Sequence, residues 1–236
     1  MAKGESCRPA SDAPQSAARF VRRSAPAIRA RHAWAGKRLG PHRAECLALI
    51  KWAELAGKRL AFADVERFQY FGAGAEHRVY YDRLNKAAVK ATHANRFGYS
   101  VFAEGRWATP LEYLNRLRWH NLIFGDSIRI LGIACDEENQ IEVVTSQPWI
   151  SPHEIRPRPF PEEIANYFAG FGFRRVVLNP DAPLFYSEQM RLLAADAHDA
   201  NVIRDHNGEL AAIDVVIGRP GPELLDKVRA FLARQD

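Results

Sequence analysis

Residues 196–217 constrain the fold of this 236-residue chain more than any other stretch. There, Asn207-Gly208 separates two short runs of β-forming residues, and this dipeptide is the strongest short-range signal of a β-hairpin. A hairpin brings the residues at its base together. Asn201, at the entry to the first strand, and Asp214, on the second strand, are therefore expected to lie near each other.

Three polar side chains in this stretch suit a metal ion and a proton acceptor. Asp196 precedes Asn201 by five residues, and Asp214 follows Asn201 by thirteen. Amide and carboxylate oxygens are hard ligands that suit Mg²⁺ and its phosphate partners, and Asp196 can approach the same place as a base. The alternative is a plain hairpin whose polar residues only cap turns, and the rest of the chain must decide.

A glycine-rich turn followed by a lysine-bearing strand forms the second informative pattern. Gly72-Ala-Gly74 precedes a strand-forming run at 79–81, a turn, and a second run at 87–92 that contains Lys90. Glycine has no Cβ, so such a turn lets the backbone come close to phosphate oxygens. A lysine on the next strand meets phosphate as a point charge. The full succession indicates a phosphate site more strongly than the glycines alone.

The middle of the chain predicts one helix and a further pair of strands. Thr109-Pro110-Leu-Glu112 has the capping residue, the proline and the acid of a helix start. Strands are expected at 127–132 and 141–150, before the proline-rich residues 151–161. We therefore predict a first lobe over residues 41–150 and a second over 151–236.

The positive charge of the chain is concentrated near its beginning. Residues 1–60 carry thirteen Lys and Arg against four Asp and Glu, whereas the remaining 176 residues carry twenty against twenty-four. Little periodicity is seen in residues 1–40, which we interpret as a basic flexible arm, with a short helix near Ala17–Arg23 as the alternative. Such a segment is either simply solvated or binds nucleic acid or another acidic partner.

Composition excludes several classes of protein. No run of eighteen apolar residues exists, so we expect no membrane partner. The three cysteines are far apart and form no Cys-x-x-Cys pair, which argues against a disulfide framework and a structural zinc site. Cysteines that form no disulfides fit a reducing compartment, so we expect a cytoplasmic location.

Taken together, these motifs resemble the protein kinase superfamily, and in particular the polyvalent protein kinase domains of bacteria and their mobile elements. The spacing of Asp196, Asn201 and Asp214 is similar to that of a kinase catalytic loop and metal-binding aspartate. Gly72-Ala-Gly74 with Val79 resembles the kinase glycine loop, although His77 replaces its third glycine. The resemblance implies an α+β, two-lobed fold with an antiparallel N-lobe sheet, one key helix and a small, reduced helical C-lobe.

The resemblance also implies ATP and Mg²⁺ as cofactors and a hydroxyl acceptor, on a protein or a small molecule. In that comparison Asp196 is the base, with Asp199 in reserve, and Glu112 orients Lys90, with Glu104 as second choice. For Glu112 the alternative is that it only caps its own helix. His198 is expected to be structural. The expected ligand contacts fall into three groups: phosphate at Gly72, Gly74, Val79 and Lys90; adenine near Gln147 and Trp149; and Mg²⁺ at Asn201 and Asp214.

Several departures from better-known kinases leave other functions open. Ala194 stands where a histidine usually precedes the catalytic aspartate by two residues, so the loop must be braced differently. Twenty-two residues follow Asp214, so we expect no activation loop. A pseudokinase that acts as a nucleotide-binding interaction module is the first alternative. A nucleic-acid-binding protein acting through residues 1–60 is the second.

Overall fold

The chain folds into two compact units. The computed structural model describes residues 13–35, 39–102, 105–180 and 182–235. One unit comprises residues 1–98, 109–118 and 127–148, and the other comprises 99–108, 119–126 and 149–236. The boundary that the sequence predicts between residues 150 and 151 lies near the last of these divisions. No helix in the described ranges has both the length and the hydropathy required to cross a bilayer.

Two helices open the first unit. Helix α1 spans Pro14–Trp34, and helix α2 spans Pro41–Ala56 and ends at Gly57, whose positive φ of 64° stops it. The two helices pack together, and α1 buries small apolar residues at helical spacing. These are Ala17, Ala18, Val21 and Ala25. The expectation of a flexible arm over residues 1–40 is thus corrected for residues 14–34, because their small side chains allow α1 to pack closely on α2.

A six-stranded sheet follows, with two helices between its strands. In chain order the elements are β1 Arg59–Leu60, α3 Phe62–Glu66, β2 Gln69–Ala73, β3 His77–Asp82, β4 Ala87–Thr92, α4 Pro110–Ile123, β5 Arg129–Cys135 and β6 Ile141–Pro148. They belong to the first unit, except that residues 119–123 of α4 belong to the second. The strand order is β1-β5-β6-β4-β3-β2, and every neighbouring pair except β1–β5 is antiparallel. The predicted α+β class is confirmed.

The two faces of this sheet have different chemistry because side chains alternate along a strand. One face of β4 contributes Val89 and Ala91 to a core that also contains Tyr80, Val144 and Val65. Lys90 lies between Val89 and Ala91 and so projects from the opposite face. The core residues fix the register of β4, and the register decides where the lysine emerges.

The second unit contains two further helices and six short strands in its described residues. Its elements are α5 Pro161–Gly170, β7 Arg174–Val176, β8 Leu184–Ser187, β9 Leu192–Ala195, β10 Val202–Arg204, β11 Leu210–Ala212, β12 Val216–Gly218 and α6 Pro222–Leu232. The strands form a four-stranded antiparallel sheet, β12-β9-β8-β7, and the hairpin β10–β11.

The expectation of a helical C-lobe is therefore wrong for the region after residue 150, which is rich in β-structure. The segment Leu192-Leu-Ala-Ala195 consists of good helix formers, yet it forms a strand. Leu192 and Ala194 belong to one core cluster, with Phe168 and Phe185, while Leu193 belongs to another. Burial of both faces of β9 outweighs the helical preference of its residues, because propensity is a weak prior.

Candidate active site

A row of directly paired residues crosses four strands of the larger sheet. Gly72 on β2 is paired with Val79 on β3, Val79 with Lys90 on β4, and Lys90 with Thr145 on β6. Directly paired residues of antiparallel strands project on the same face. The structure therefore places Val79, Lys90 and Thr145 side by side, with the glycine turn at the end of this row.

The glycine turn is closed by hydrogen bonds of its own backbone. The Gly74 N–H donates to the His77 carbonyl at 2.8 Å, and the Gly74 carbonyl lies 3.0 Å from His93 Nε2. A Cβ added to Gly72 or Gly74 would meet no atom within 4 Å, and neither residue has a positive φ. The fold itself thus does not require glycine at these two positions, which leaves the backbone open to a ligand.

Helix α4 lies over the sheet face that carries Lys90. His77, two residues before Val79 on that face, has its Nε2 2.9 Å from the hydroxyl of Tyr113 in α4. Glu112 in the same helix accepts the Thr109 N–H at 2.8 Å, and the Thr109 hydroxyl accepts the Glu112 N–H at 3.3 Å. The capping role of Glu112 is confirmed, whereas its pairing with Lys90 stays a prediction. Glu104, the second choice, lies outside the described residues.

A buried ion pair connects the glycine turn with α4. Glu76 Oε2 accepts a hydrogen bond from Arg116 Nη1 at 2.6 Å, and the two side chains are 8% and 5% exposed. Gly98, at φ +74°, passes so close to this carboxylate that an added Cβ would lie 2.8 Å from Glu76 Oε1. No local pattern in the sequence indicates this pair, because forty residues separate its members.

Strand β6 ends where adenine binding was predicted. Gln147 is paired with Ala88 of β4, and Trp149 follows the last strand residue, Pro148, with its side chain half-buried. Proline has no N–H group. Backbone donors to a ligand at this point can therefore come only from Gln147 and from the residues after Pro148.

The candidate catalytic loop of the second unit begins directly after β9. Asp196 has a left-handed φ of 57°, which aspartate adopts more readily than most residues. The Asn201 amide nitrogen donates to the Asp196 carbonyl at 2.9 Å and to Asp196 Oδ2 at 2.8 Å. These bonds close the loop through the nitrogen of Asn201, and they leave its amide oxygen as the atom suited to a cation.

His198 contributes to the same loop. Its Nδ1 accepts the Ala200 N–H at 3.2 Å, so a neutral ring carries its proton on Nε2. That nitrogen lies 3.3 Å from Asp196 Oδ1. The imidazole can thus orient one oxygen of Asp196 while Asn201 binds the other.

The hairpin predicted from Asn207-Gly208 is present. Val202 of β10 is paired with Ala212 of β11, and Gly208 occupies the turn with φ +88°. The Ile213 N–H donates to the Asn201 carbonyl at 2.8 Å, so Asn201 and the residue before Asp214 meet at the base as expected. One detail is corrected: the ladder ends at Ala212, and Asp214 lies in a bend before β12 rather than on a strand.

The family model for serine/threonine/tyrosine kinases found in polyvalent proteins matches residues 42–218. The chain belongs to this family. The resemblance inferred from the glycine turn, the lysine strand and the Asp196–Asp214 spacing is thereby confirmed. No curated protein and no solved structure matches the chain significantly.

A histidine that the sequence analysis does not identify supports the residue after Asp214 in this member of the kinase family. His120, near the end of α4, is buried, and its Nε2–H donates to the Val215 carbonyl at 2.8 Å. Its Nδ1 lies 2.9 Å from Asp126 Oδ2. The Asp196 loop is held by Asn201 and His198, whereas His120 braces the bend that contains Asp214. Ninety-five residues separate His120 from Val215, so no local pattern indicates this bond.

Proposed function

We propose that the chain is an ATP- and Mg²⁺-dependent phosphotransferase that transfers the γ-phosphoryl group to a hydroxyl acceptor, including protein Ser or Thr. In this proposal its two units correspond to the two lobes of a kinase. Residues of the first unit bind ATP: the glycine turn covers the phosphates, Lys90 neutralises them and Glu112 orients Lys90. The backbone at Gln147 and the ring of Trp149 serve the adenine.

Residues of the second unit carry out the transfer chemistry in this proposal. Asn201 and Asp214 hold Mg²⁺, which neutralises charge on the phosphates, and Asp196 orients the acceptor hydroxyl and accepts its proton. The donor set fits the cation, because an amide oxygen and a carboxylate are oxygen ligands of the kind that Mg²⁺ prefers. Phosphoryl transfer depends mainly on positioning and charge neutralisation, so this small set of groups is sufficient.

One observation supports this proposal above the others. The amide of Asn201 is bonded to Asp196, and its backbone is bonded to Ile213 beside Asp214. A hairpin that only capped its own turns would not need the Asn201 side chain to bind Asp196 while the Asn201 backbone binds the residue before Asp214. The family match adds that this arrangement occurs in a kinase sequence.

The variant Gly74→Ala tests the nucleotide site without disturbing the fold. A methyl group there meets no protein atom within 4 Å, but it stands where phosphate would approach the backbone. We expect an unchanged melting temperature and an ATP Kd that rises about tenfold, which corresponds to about 1.4 kcal/mol. Isothermal titration calorimetry with ATP and Mg²⁺ measures the Kd, and thermal unfolding measures the melting temperature.

Gly170→Ala is the matched control for that variant, since its added Cβ also meets open space and it lies at the end of α5. It should change neither stability nor ATP affinity. Equal ATP affinity in wild type and Gly74→Ala would contradict the phosphate role of the turn. Nucleotide binding without any turnover in wild type would instead favour the pseudokinase alternative.

His120→Phe tests the brace behind Asp214. The substitution keeps a ring but removes the N–H that donates to the Val215 carbonyl. Because loss of an outer partner typically weakens a metal site, we expect the Mg²⁺ concentration for half-maximal activity to rise about 10–100-fold. Asp126→Asn keeps a polar partner beside Nδ1 and should give a smaller shift. A lower melting temperature with unaltered Mg²⁺ dependence would mean that His120 is only structural.

The exposed face of α1 favours a second candidate function, nucleic-acid binding. Five exposed arginines lie along this helix, and residues 13–35 contain no Asp or Glu. They are Arg19, Arg22, Arg23, Arg29 and Arg31. We expect DNA or RNA affinity that falls steeply with salt and weakens in Arg22→Glu/Arg29→Glu. A fluorescence anisotropy titration in which this variant binds as tightly as wild type would contradict the role of α1.

A further inference from the structure

A cavity of about 380 Å³ lies beside the candidate catalytic loop, within the second unit. Its wall includes Ala197, His198 and Asp199, the three residues that directly follow Asp196. The half-exposed carboxylate of Asp196 lies 3.3 Å from Nε2 of His198, a residue of this wall, and we call the space the acceptor cavity. Its size is near the lower end of the range for small-molecule sites and suits one or two ring-sized groups.

The walls of the acceptor cavity are mainly apolar and have flat surfaces. Ile164, Phe185 and Ala197 are buried in the fold, whereas Phe160 is 59% exposed. Four prolines contribute to the lining: Pro159, Pro161, Pro180 and Pro183. Aromatic faces and flat apolar rings favour offset or edge contacts with another ring.

The charged groups of the lining favour a neutral occupant. Arg175 and Asp199 are the charged residues of the lining, and their charges are opposite. Arg158, which is outside the lining, has its Nη1 3.4 Å from Asp199 Oδ2. The lining itself therefore has no net charge that would select an anion or a cation. An uncharged aromatic group is the occupant that fits both the walls and this charge balance.

The wall formed by the start of α5 is held rigidly. Glu163 accepts the Phe160 N–H at 2.8 Å and a hydrogen bond from Arg204 at 2.8 Å, and it also binds Arg156. The Phe160 N–H and the two guanidinium groups lower the pKa of Glu163 to about 2, so it is ionised at neutral pH. A prearranged wall costs a ligand little ordering on binding.

We propose that the acceptor cavity binds an aromatic side chain of a peptide acceptor, next to the hydroxyl that Asp196 orients. This inference rests on the proposed function and names its substrate class: peptides with an aromatic residue beside the phosphorylated Ser or Thr. The reacting hydroxyl stays at Asp196, and the cavity one residue further along the loop holds the neighbouring ring.

Binding in the absence of nucleotide tests the cavity independently of catalysis. N-acetyl-phenylalanine amide and N-acetyl-alanine amide are titrated separately into the full chain, with NMR chemical shifts as the readout. We expect millimolar binding of the phenylalanine compound alone, weakened at least about fivefold in Phe160→Ala. Ile155→Ala, a change at a 90% exposed residue outside the lining, should bind as wild type does.

Phosphorylation of matched peptides is the second part of the test. Wild type should prefer a serine peptide with phenylalanine beside the serine over its alanine counterpart by about tenfold or more in kcat/KM. In Phe160→Ala that ratio should approach one. Selective binding without phosphorylation of any peptide would support the cavity and contradict the proposed function. Equal binding of both amides, or equal use of both peptides by wild type, would overturn the inference.

Discussion

Asp214→Ala should reduce ATP- and Mg²⁺-dependent phosphoryl transfer by at least about 10³-fold. Removal of a charged group that stabilises the transition state typically costs several kcal/mol, and each 1.4 kcal/mol is a factor of ten in rate. Asp214 lies half-buried in the bend between β11 and β12, outside both strand ladders. The fold should therefore survive the substitution. Initial rates over a range of Mg²⁺ concentrations, with circular dichroism to verify folding, measure the effect.

Asp226→Ala is the matched control for this variant, because it removes the same charge from an exposed position on α6 in the same unit. Its activity should equal that of wild type. Turnover by Asp214→Ala within about tenfold of the control would contradict the assignment of Asp214 as a metal ligand. It would also make the base of the β10–β11 hairpin purely structural.

Arg116→Ala should lower the free energy of unfolding by about 3–5 kcal/mol. The substitution removes the guanidinium group that lies 2.6 Å from the buried Glu76 carboxylate, and a buried charge is costly when it loses such a partner. For a chain of this size, the loss corresponds to a fall in melting temperature of roughly 10 °C. Thermal and urea unfolding of wild type and variant measure both quantities.

Changing both Glu76 and Arg116 tests why Arg116→Ala lowers the free energy of unfolding. Glu76→Gln/Arg116→Met replaces the ion pair with groups of similar size and leaves no unpaired charge, so it should be more stable than Arg116→Ala alone. Arg129→Ala, at an exposed position on β5, should change stability by no more than about 0.5 kcal/mol. A double variant as unstable as Arg116→Ala would show that lost packing, rather than the buried charge, is responsible.

Features encoded by neighbouring residues could be predicted from the sequence. The turn at Asn207-Gly208 and the reciprocal caps of Thr109 and Glu112 depend on a few adjacent residues. The strand register around Lys90 also follows from alternation along one short segment. Each of these interactions acts within one turn of helix or one hairpin, so its signal survives in the bare sequence.

The features that could not be predicted depend on contacts between distant parts of the chain. Strand β9 has the composition of a helix, and only its burial on both faces makes it a strand. The bonds from Arg116 to Glu76 and from His120 to Val215 join residues that no local pattern connects. The packing of α1 on α2 likewise depends on small residues whose partner surface is elsewhere, so the composition of residues 1–40 resembled an arm.

The central claim is that this kinase-family chain binds ATP together with Mg²⁺, and its most direct test is the melting temperature with ATP, in Mg²⁺ and in EDTA. At ATP a hundredfold above its Kd, binding adds about 2.7 kcal/mol, which raises the melting temperature by roughly 5–10 °C. We predict this rise in Mg²⁺, a smaller one in EDTA, and its loss in Lys90→Ala. An unchanged melting temperature with saturating Mg²⁺ and ATP, or an equal rise in Lys90→Ala, would contradict the claim.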